Sequence, residues 1–263
     1  MSTDYSAELG RALDLARTGG EIAMRYFGRA PQRTRKEDGT WVTEADEAVE
    51  AHIRAGLSAA FPQHNILGEE EGLLAAGGGD PHPGAPTWVV DPIDGTHNYM
   101  EGIPVWAVLI ALRVDDASVL GVAHAPALRE TYDGAVGAGA RFNGASIEVS
   151  KAGWEGATTG FANWTGLIDL GLKRGFDAIA GKSWRVRGFG DFWGHMLVAR
   201  GAAHVMLEPE LSLWDVAALE PIVREAGGRI TGLDGAPWKN GGCLTTNGVL
   251  HEEALQILRE QGA

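Results

Sequence analysis

The sequence runs to 263 residues, enough for one large domain or two small ones packed together. Its 44% hydrophobic and 22% charged residues are those of a soluble globular chain, and a net charge of −13 argues against nucleic acid or an anionic membrane as partner. Cys243 is the only cysteine, Met1-Ser2-Thr3-Asp4 lacks an apolar signal core, and no run approaches the ~20 apolar residues of a membrane helix, so an intrachain disulfide, a thiolate metal cluster and a membrane span are excluded and a reducing cytoplasm is expected.

Leu9, Leu13, Ala16, Ala23 and Phe27 recur at helical spacing and predict an amphipathic helix over about 5–27, tolerating Gly19-Gly20. Residues 33–40 read as a polar link, in which a lone Lys36 is better read as solvated than as facing a site. A second helix carries Ala45, Val49, Ile53 and Leu57 on one face and ends at Pro62, with Thr43 and Asp46 in a box-like N-cap. Ile66-Leu67-Gly68 is a brief strand running into Glu69-Glu70-Glu71, and the Gly, Pro and Ala content of 73–86 predicts an exposed loop. Residues 87–90 form a buried strand of β-branched and aromatic residues, which Asp91 and Pro92 end.

The apolar run 105–114 has no helical stripe and predicts a buried strand. Strands over 120–125, 130–136 and 146–149 follow it as an antiparallel meander, with a glycine-rich turn over 137–144. Residues 151–160 are weakly patterned. Then come a helix over 167–179, a strand over 184–188, a helix capped by Asp191 and holding Phe192, His195, Met196 and Ala199, and a strand over 203–207. One helix over 214–226 stops at Gly227-Gly228, and strands over 229–233 and 243–246 precede a closing helix over 251–259. Strands and helices come in blocks without an internal repeat, which predicts a layered α+β fold with halves 1–149 and 150–263 packed as one unit.

Carboxylates recur where buried sequence breaks open. Asp91 and Asp94 sit three apart at a strand end, and two hard oxygen donors so close suit Mg²⁺. The Gly95 and Thr96 amides behind them can point at an anion. Taken alone, the same Asp-x-x-Asp-Gly serves equally as a turn capping a helix. Glu69 follows a second strand, and Asp215 opens a helix beside Trp214. Four buried-side carboxylates without a matching cluster of cations are costly unless they hold metal. There is no G-x-x-x-x-G-K-[ST], no G-x-S-x-G and no histidine pattern for zinc, so P-loop, serine-hydrolase and zinc-hydrolase chemistry are unsupported.

Gly68-Glu69-Glu70, Asp91-Pro92-Ile93-Asp94-Gly95-Thr96-His97-Asn98-Tyr99, Trp214-Asp215-Val216-Ala217-Ala218 and Glu225-Ala226-Gly227-Gly228 together resemble the inositol monophosphatase family of Mg²⁺-dependent, lithium-sensitive phosphomonoesterases. The resemblance implies a layered αβαβα sandwich and a homodimer. It implies two or three Mg²⁺ ions held by Glu69, Asp91, Asp94, Asp215 and the Ile93 carbonyl, with Asp91 bridging two of them. Glu69 and Thr96 would position the attacking water, Asp46 would support Thr96, and the Gly95 and Thr96 amides would hold the phosphate. His97 and Tyr99 depart from the family's usual residues without touching an implied ligand. A non-catalytic relative that only binds a phosphorylated ligand would have lost one of these residues, and none is lost.

The stretch from Trp184 to Phe192, then Leu207 to Asp215, and also Ile103-Pro104-Val105-Trp106-Ala107, look like the histidinol-phosphate phosphatase branch of that family. Gly190, Asp191 and Glu208 match positions that contact the substrate's organic part, with Asp215 and Arg187 as further contacts. L-histidinol phosphate carries an ammonium and an imidazole, which two carboxylates would attract; inositol phosphate has only neutral hydroxyls. Against this, Asp191 also reads as an N-cap, Glu208 as a strand-end acid and Arg187 as half of a surface ion pair. The implied activity is release of L-histidinol and phosphate in histidine biosynthesis; the alternative is an inositol-1-monophosphatase or a broad sugar-phosphate phosphatase.

Overall fold

Helix α1 (Ser6–Tyr26) packs its Leu9, Ala12, Leu15 and Ala16 face against helix α2 (Glu44–Ala60), whose Ala45, Val49, Ile53 and Leu57 are fully buried. The helices need their glycines in order to approach. A Cβ on Gly19 would lie 3.2 Å from Val49 Cγ1, and one on Gly56 would lie 2.3 Å from Leu15 Cδ2. The computed structural model describes residues 4–29, 31–36, 39, 41–78 and 84–261. The link expected over 33–40 contains a strand, β1 (Arg33–Arg35), paired antiparallel with β2 (Trp41–Thr43). All of β1 is exposed, so no buried face marks it in the sequence. Glu37, Asp38 and Thr40 lie outside the described residues.

Strands β3 (Asn65–Gly68), β4 (Gly72–Leu74), β5 (Thr87–Asp94), β6 (Ala107–Val114), β7 (Ala117–Ala125), β8 (Glu130–Ala135), β9 (Gly139–Phe142) and β10 (Ala145–Ser146) form one sheet, with helix α3 (Thr96–Met100) between β5 and β6. Among the described residues its order is β10-β9-β8-β7-β6-β5-β3-β4. The expected meander is present from β6 to β10, with its last strand at Ala145–Ser146 and not over 146–149; β5 pairs antiparallel with β6, and β3 runs parallel to β5. Strand β6 is apolar and buried from Ala107 to Leu112 because both its faces are covered there. Val108, Ile110 and Leu112 join the cluster under α1 and α2, while Leu109 and Ala111 face the other way. Two expectations change. The loop over 73–86 starts inside β4 and continues through a short turn at Ala76–Gly78, and residues 79–83 lie outside those described. The turn over 137–144 contains β9, and Asn143-Gly144, both at positive φ, turns the chain into β10.

Strand β11 (Thr158–Phe161) leads to helices α4 (Trp164–Asp169) and α5 (Lys173–Lys182), strand β12 (Arg185–Arg187), helix α6 (Asp191–Ala199) and strand β13 (Val205–Leu211). Helices α7 (Leu213–Ala217) and α8 (Leu219–Glu225), strands β14 (Arg229–Gly232) and β15 (Gly241–Thr246) and helix α9 (His251–Gln261) complete the chain. The second sheet has the order β12-β11-β13-β15-β14. Each of the two long helices expected here is two helices. Gly171, at φ +71°, separates α4 from α5. Pro221 has no N–H for the Ala217 carbonyl, and the helix is interrupted at Ala218 between α7 and α8.

Helices α1 and α2 cover one face of the first sheet, and α7 and α8 cover the other. Helix α6 packs on α8 and on β13 and β15, and α4 and α9 lie against the second sheet from its far side. The result is the expected α+β sandwich with αβαβα layers. Among the described residues no helix is long and apolar enough to cross a membrane.

Candidate active site

Side chains alternate along a strand, so Asp91 should share a face with Val89 and Ile93, and Asp94 should point away from it. The pairing shows otherwise. Asp91 lies opposite Leu109 and Asp94 opposite Ala107, three residues against two, so β5 carries a bulge. The extra residue brings Asp94 back to the face of Asp91, toward the middle helix layer, and sends the Ile93 side chain into the cluster under α1 and α2. Pro92 sits within the bulge, where it withholds no ladder donor. The strand expected to end at Asp91 therefore runs on to Asp94, and both carboxylates face one way because of it.

Helix α7 contacts β5 and β6 and supplies Asp215. Asp215 is held by a capping box with Ser212, whose backbone N–H donates to its Oδ2 at 2.7 Å. One carboxylate oxygen from each of Asp91, Asp94 and Asp215 lies within 4.8 Å of the others. The remaining oxygens are partly tied down. The Ile93 N–H donates to Asp91 Oδ1 at 3.0 Å and the Phe192 N–H to Asp94 Oδ2 at 2.7 Å. Burial, and then repulsion from Glu69, Asp94 and Asp215, pushes the Asp91 carboxyl well above the usual range. Burial and the neighbouring Asp191 and Asp215 do the same to Asp94, and burial first of all takes Asp215 to about 7. Three hard oxygen donors close together, each pushed toward its neutral form first by burial, could hold a metal ion of the kind that prefers oxygen ligands.

The parallel pairing of β3 with β5 delivers Glu69 beside them, its N–H bonded to the Val90 carbonyl at 3.2 Å. Lys36 Nζ bridges Glu69 Oε1 at 2.9 Å and Glu70 Oε1 at 2.7 Å. Burial opposes the charge on Lys36, but its bonds to Glu70 and Glu69 outweigh that and hold its pKa above the ordinary value. Lys36 is therefore a site residue and not a solvated one. The turn carrying Glu69 is clamped from beneath by Glu50 of α2, which is fully buried. Its carboxylate accepts from the Glu70 N–H at 2.8 Å, the Glu71 N–H at 2.9 Å and Arg54 Nε at 2.8 Å. Sequence reasoning passed over Glu50. Its one trace was a Glu50/Arg54 pair at i,i+4 between the apolar positions of an amphipathic helix.

Gly95 takes a left-handed conformation, φ +83°, and starts α3. A Cβ there would also come within 3.0 Å of the Val105 carbonyl and 3.4 Å of Asp191 Oδ2, so glycine is required twice over. Thr96 Oγ1 donates to the Ile93 carbonyl at 3.0 Å. Asp46 does not hydrogen-bond Thr96. Its Oδ2 accepts from the Thr43 N–H at 2.9 Å and from Thr43 Oγ1 at 2.5 Å, as the capping-box reading expects. Its other oxygen is buried without a hydrogen-bond partner among the described residues, and burial raises its pKa to about 6.

Asp191 begins α6 at φ +55°, an uncommon conformation for a residue with a Cβ. It makes no capping bond and Gly190 holds the cap position, so the N-cap expectation fails. Its Oδ2 instead accepts from Asn98 Nδ2 at 2.8 Å and faces the cleft. Glu208, on β13, has its carboxyl raised well above the usual range by burial and by Asp191, Asp94 and Asp215. A cleft of about 330 Å³ joins Glu69, Asp91, Asp94, Thr96 and Asp215 to Asp191 and Glu208. A chamber of about 650 Å³ shares His97, Asp191, Glu208 and Glu210 with that cleft and adds Gly190, Trp164, Phe189 and Trp193. The site thus has an acidic end and an aromatic end. Arg187 lines neither cavity. It is exposed, with Nη1 bonded to the Val186 carbonyl at 2.8 Å, and it pairs with no carboxylate among the described residues.

Residues 6–263 match the model of the inositol monophosphatase family. The chain is 43% identical over 259 residues to a histidinol-phosphatase of Mycobacterium tuberculosis (strain ATCC 25618 / H37Rv), covering 95% of this chain and 97% of that protein. It is 42% identical over 223 residues to a histidinol-phosphatase of Chlorobaculum parvum (strain DSM 263 / NCIMB 8327), covering 84% of each. Among solved structures, the extragenic suppressor protein SuhB of Bartonella henselae superposes with a TM-score of 0.88 at 27% identity, over 97% of this chain and 99% of that one.

Proposed function

The chain belongs to the inositol monophosphatase family, and from that premise we propose that it is a Mg²⁺-dependent histidinol-phosphatase, releasing L-histidinol and phosphate from L-histidinol phosphate in histidine biosynthesis. The observation that carries the reading is the chamber beside the three-aspartate cluster. Asp191 and Glu208 supply negative charge for an ammonium and an imidazole, and Trp164, Phe189 and Trp193 supply flat apolar surface. An inositol ring offers hydroxyls and nothing for that charge to attract.

Glu69, Asp91, Asp94, Asp215 and the Ile93 carbonyl would hold two or three Mg²⁺ ions, which supply positive charge against the phosphate dianion and the Lewis acidity that makes water nucleophilic at neutral pH. Glu69 takes up the proton of the attacking water, and Thr96 Oγ1 helps to orient it. Lys36, bonded to Glu69, fixes that carboxylate. The Gly95 and Thr96 amides donate to the phosphate oxygens. Water adds at phosphorus, the ester P–O bond breaks, and the alcohol oxygen of histidinol leaves with the proton that Glu69 took up, returned to it through water. A transition state this loose draws its rate gain from positioning and charge, which this set of residues provides. We read the chain as two halves, 1–149 and 150–263, packed as one unit with the cleft at their junction. The same reading assigns a cytoplasmic, lithium-sensitive homodimer.

Phosphate release from L-histidinol phosphate and from myo-inositol 1-phosphate, at equal concentration with Mg²⁺, tests the proposal. Histidinol phosphate is expected to turn over faster. Inositol phosphate turning over at least as fast would overturn the substrate assignment.

A further inference from the structure

Behind Glu208 lies a histidine that touches neither cavity. His195 is fully buried on α6, one helical turn beyond Asp191, so the two share a helix face with Asp191 in the cleft and His195 deeper. Its Nε2 lies 3.1 Å from Glu208 Oε2 and its Nδ1 lies 2.8 Å from Thr245 Oγ1. The helix reaches β13 because Gly194 has no Cβ: one would stand 2.5 Å from Met206 Sδ. Thr245 pairs with Met206 across β13 and β15, two residues before Glu208 on the same sheet face. The imidazole is therefore wedged between a threonine hydroxyl and a carboxylate that faces substrate.

We propose that His195 is a positioning residue for substrate specificity: it donates from Nε2 to one oxygen of Glu208 and so aims the other at the cationic end of the substrate. This rests on the histidinol-phosphatase reading. The tautomer is part of the proposal: the two ring contacts can run in either direction, and a proton on Nε2 is the arrangement that keeps Glu208 charged. Burial takes the imidazole pKa down to about 4, so at neutral pH the ring carries one proton. With that proton on Nε2 and pointed at Glu208, Nδ1 is the acceptor for the Thr245 hydroxyl. Without the donor, Glu208 Oε2 is a buried acceptor with no partner. The side chain then turns to find one or takes up a proton, and in either case the charge that attracts the substrate is lost.

The test is steady-state kinetics of the Mg²⁺-loaded full chain on L-histidinol phosphate and on the neutral-alcohol ester β-glycerophosphate. His195→Leu keeps the volume and removes the donor. It is expected to raise KM for L-histidinol phosphate about tenfold while kcat and the KM for β-glycerophosphate stay within about twofold. His195→Gln, which restores an N–H near the same point, should recover most of the loss. Thr245→Val should shift KM in the same direction by less, since the tautomer is then no longer fixed. Wild-type KM for L-histidinol phosphate in a folded His195→Leu, or equal losses on both esters, overturns the proposal. If melting shows that His195→Leu does not fold, Thr245→Val decides, and an unchanged KM overturns it. Wild-type enzyme with no preference for the cationic ester overturns the substrate reading itself, before any variant is compared.

Discussion

Asp94 shows how much one side chain carries at the residue scale. It is buried, repelled by Asp191 and Asp215, and held by a single strong bond from the Phe192 N–H. Asn at this position keeps the shape and an acceptor for that N–H but removes a charge from the cluster. Asp94→Asn should therefore lose nearly all phosphatase activity while its far-UV dichroism and melting temperature stay at or above those of the metal-free parent; wild-type turnover would remove Asp94 from the ligand set. Asp91, Asp94, Glu69 and Asp215 were legible in sequence because each interrupts an apolar run, where an acid is costly. Lys36 was not legible, since a single lysine in a polar link gives no local hint that it folds back 33 positions onto Glu69. Arg187 erred the other way: a basic residue near the specificity stretch looked useful, and its strand leaves it outside both cavities.

At the scale of elements, periodicity gave the sheets and helices but not the device that makes the site. Alternation alone puts Asp91 and Asp94 on opposite faces, and only the pairing with β6 reveals the bulge that reunites them. Sequence carries such a bulge weakly, here as a proline inside a strand. The Glu50 clamp is a second device of this kind. Glu50 holds two turn amides and Arg54, and Arg54 Nη2 in turn bonds the Gly72 carbonyl. Glu50→Ala leaves the buried Arg54 guanidinium without its close carboxylate and two part-buried N–H groups without this acceptor, which should cost about 3 kcal/mol, at the low end of the usual penalty for breaking a buried ion pair. Glu50→Gln keeps an acceptor and should cost less. If the clamp sets Glu69, the Mg²⁺ concentration for half-maximal activity should rise in Glu50→Gln before stability fails. A Glu50→Gln protein with unchanged metal dependence would reduce the clamp to a purely structural role.

The whole molecule sets the conflict that a metal resolves. The first sheet brings Asp91, Asp94 and Glu69 to the edge of the middle helix layer, and the chain beyond residue 150 brings Asp191, Glu208 and Asp215 to meet them. Packing the two parts together buries mutually repelling acids, so without metal folding works against their ionisation. The carboxyls of Asp46 and Asp191 rise to about 6 and that of Asp215 to about 7, in each case chiefly through burial. An acid with a raised folded pKa binds more protons folded than unfolded, so its contribution to stability is full below the unfolded pKa and is lost as pH climbs through the folded one. The buried histidines run oppositely. His124, His195 and His251, lowered to about 4 chiefly by burial, contribute stability above the unfolded pKa near 6.5 that is lost as pH falls toward 4. At pH 6.5 an unfolded histidine is still about half protonated, so between pH ~6.5 and ~8 the three together add about 1 kcal/mol of stability, which opposes the loss from the carboxyls; a comparison with and without metal isolates the carboxyls. Asp215 alone should cost about 1 kcal/mol across the same window in the metal-free protein. Saturating Mg²⁺ should remove the carboxyls' share of the pH dependence, because the cation takes the place of the protons, and should leave the histidines' share as it is in chelator-treated protein. The rise in Tm on adding Mg²⁺ should therefore be larger at pH 8, as scanning calorimetry would show. An equal rise at both values would mean that the buried carboxyls are not where the metal binds.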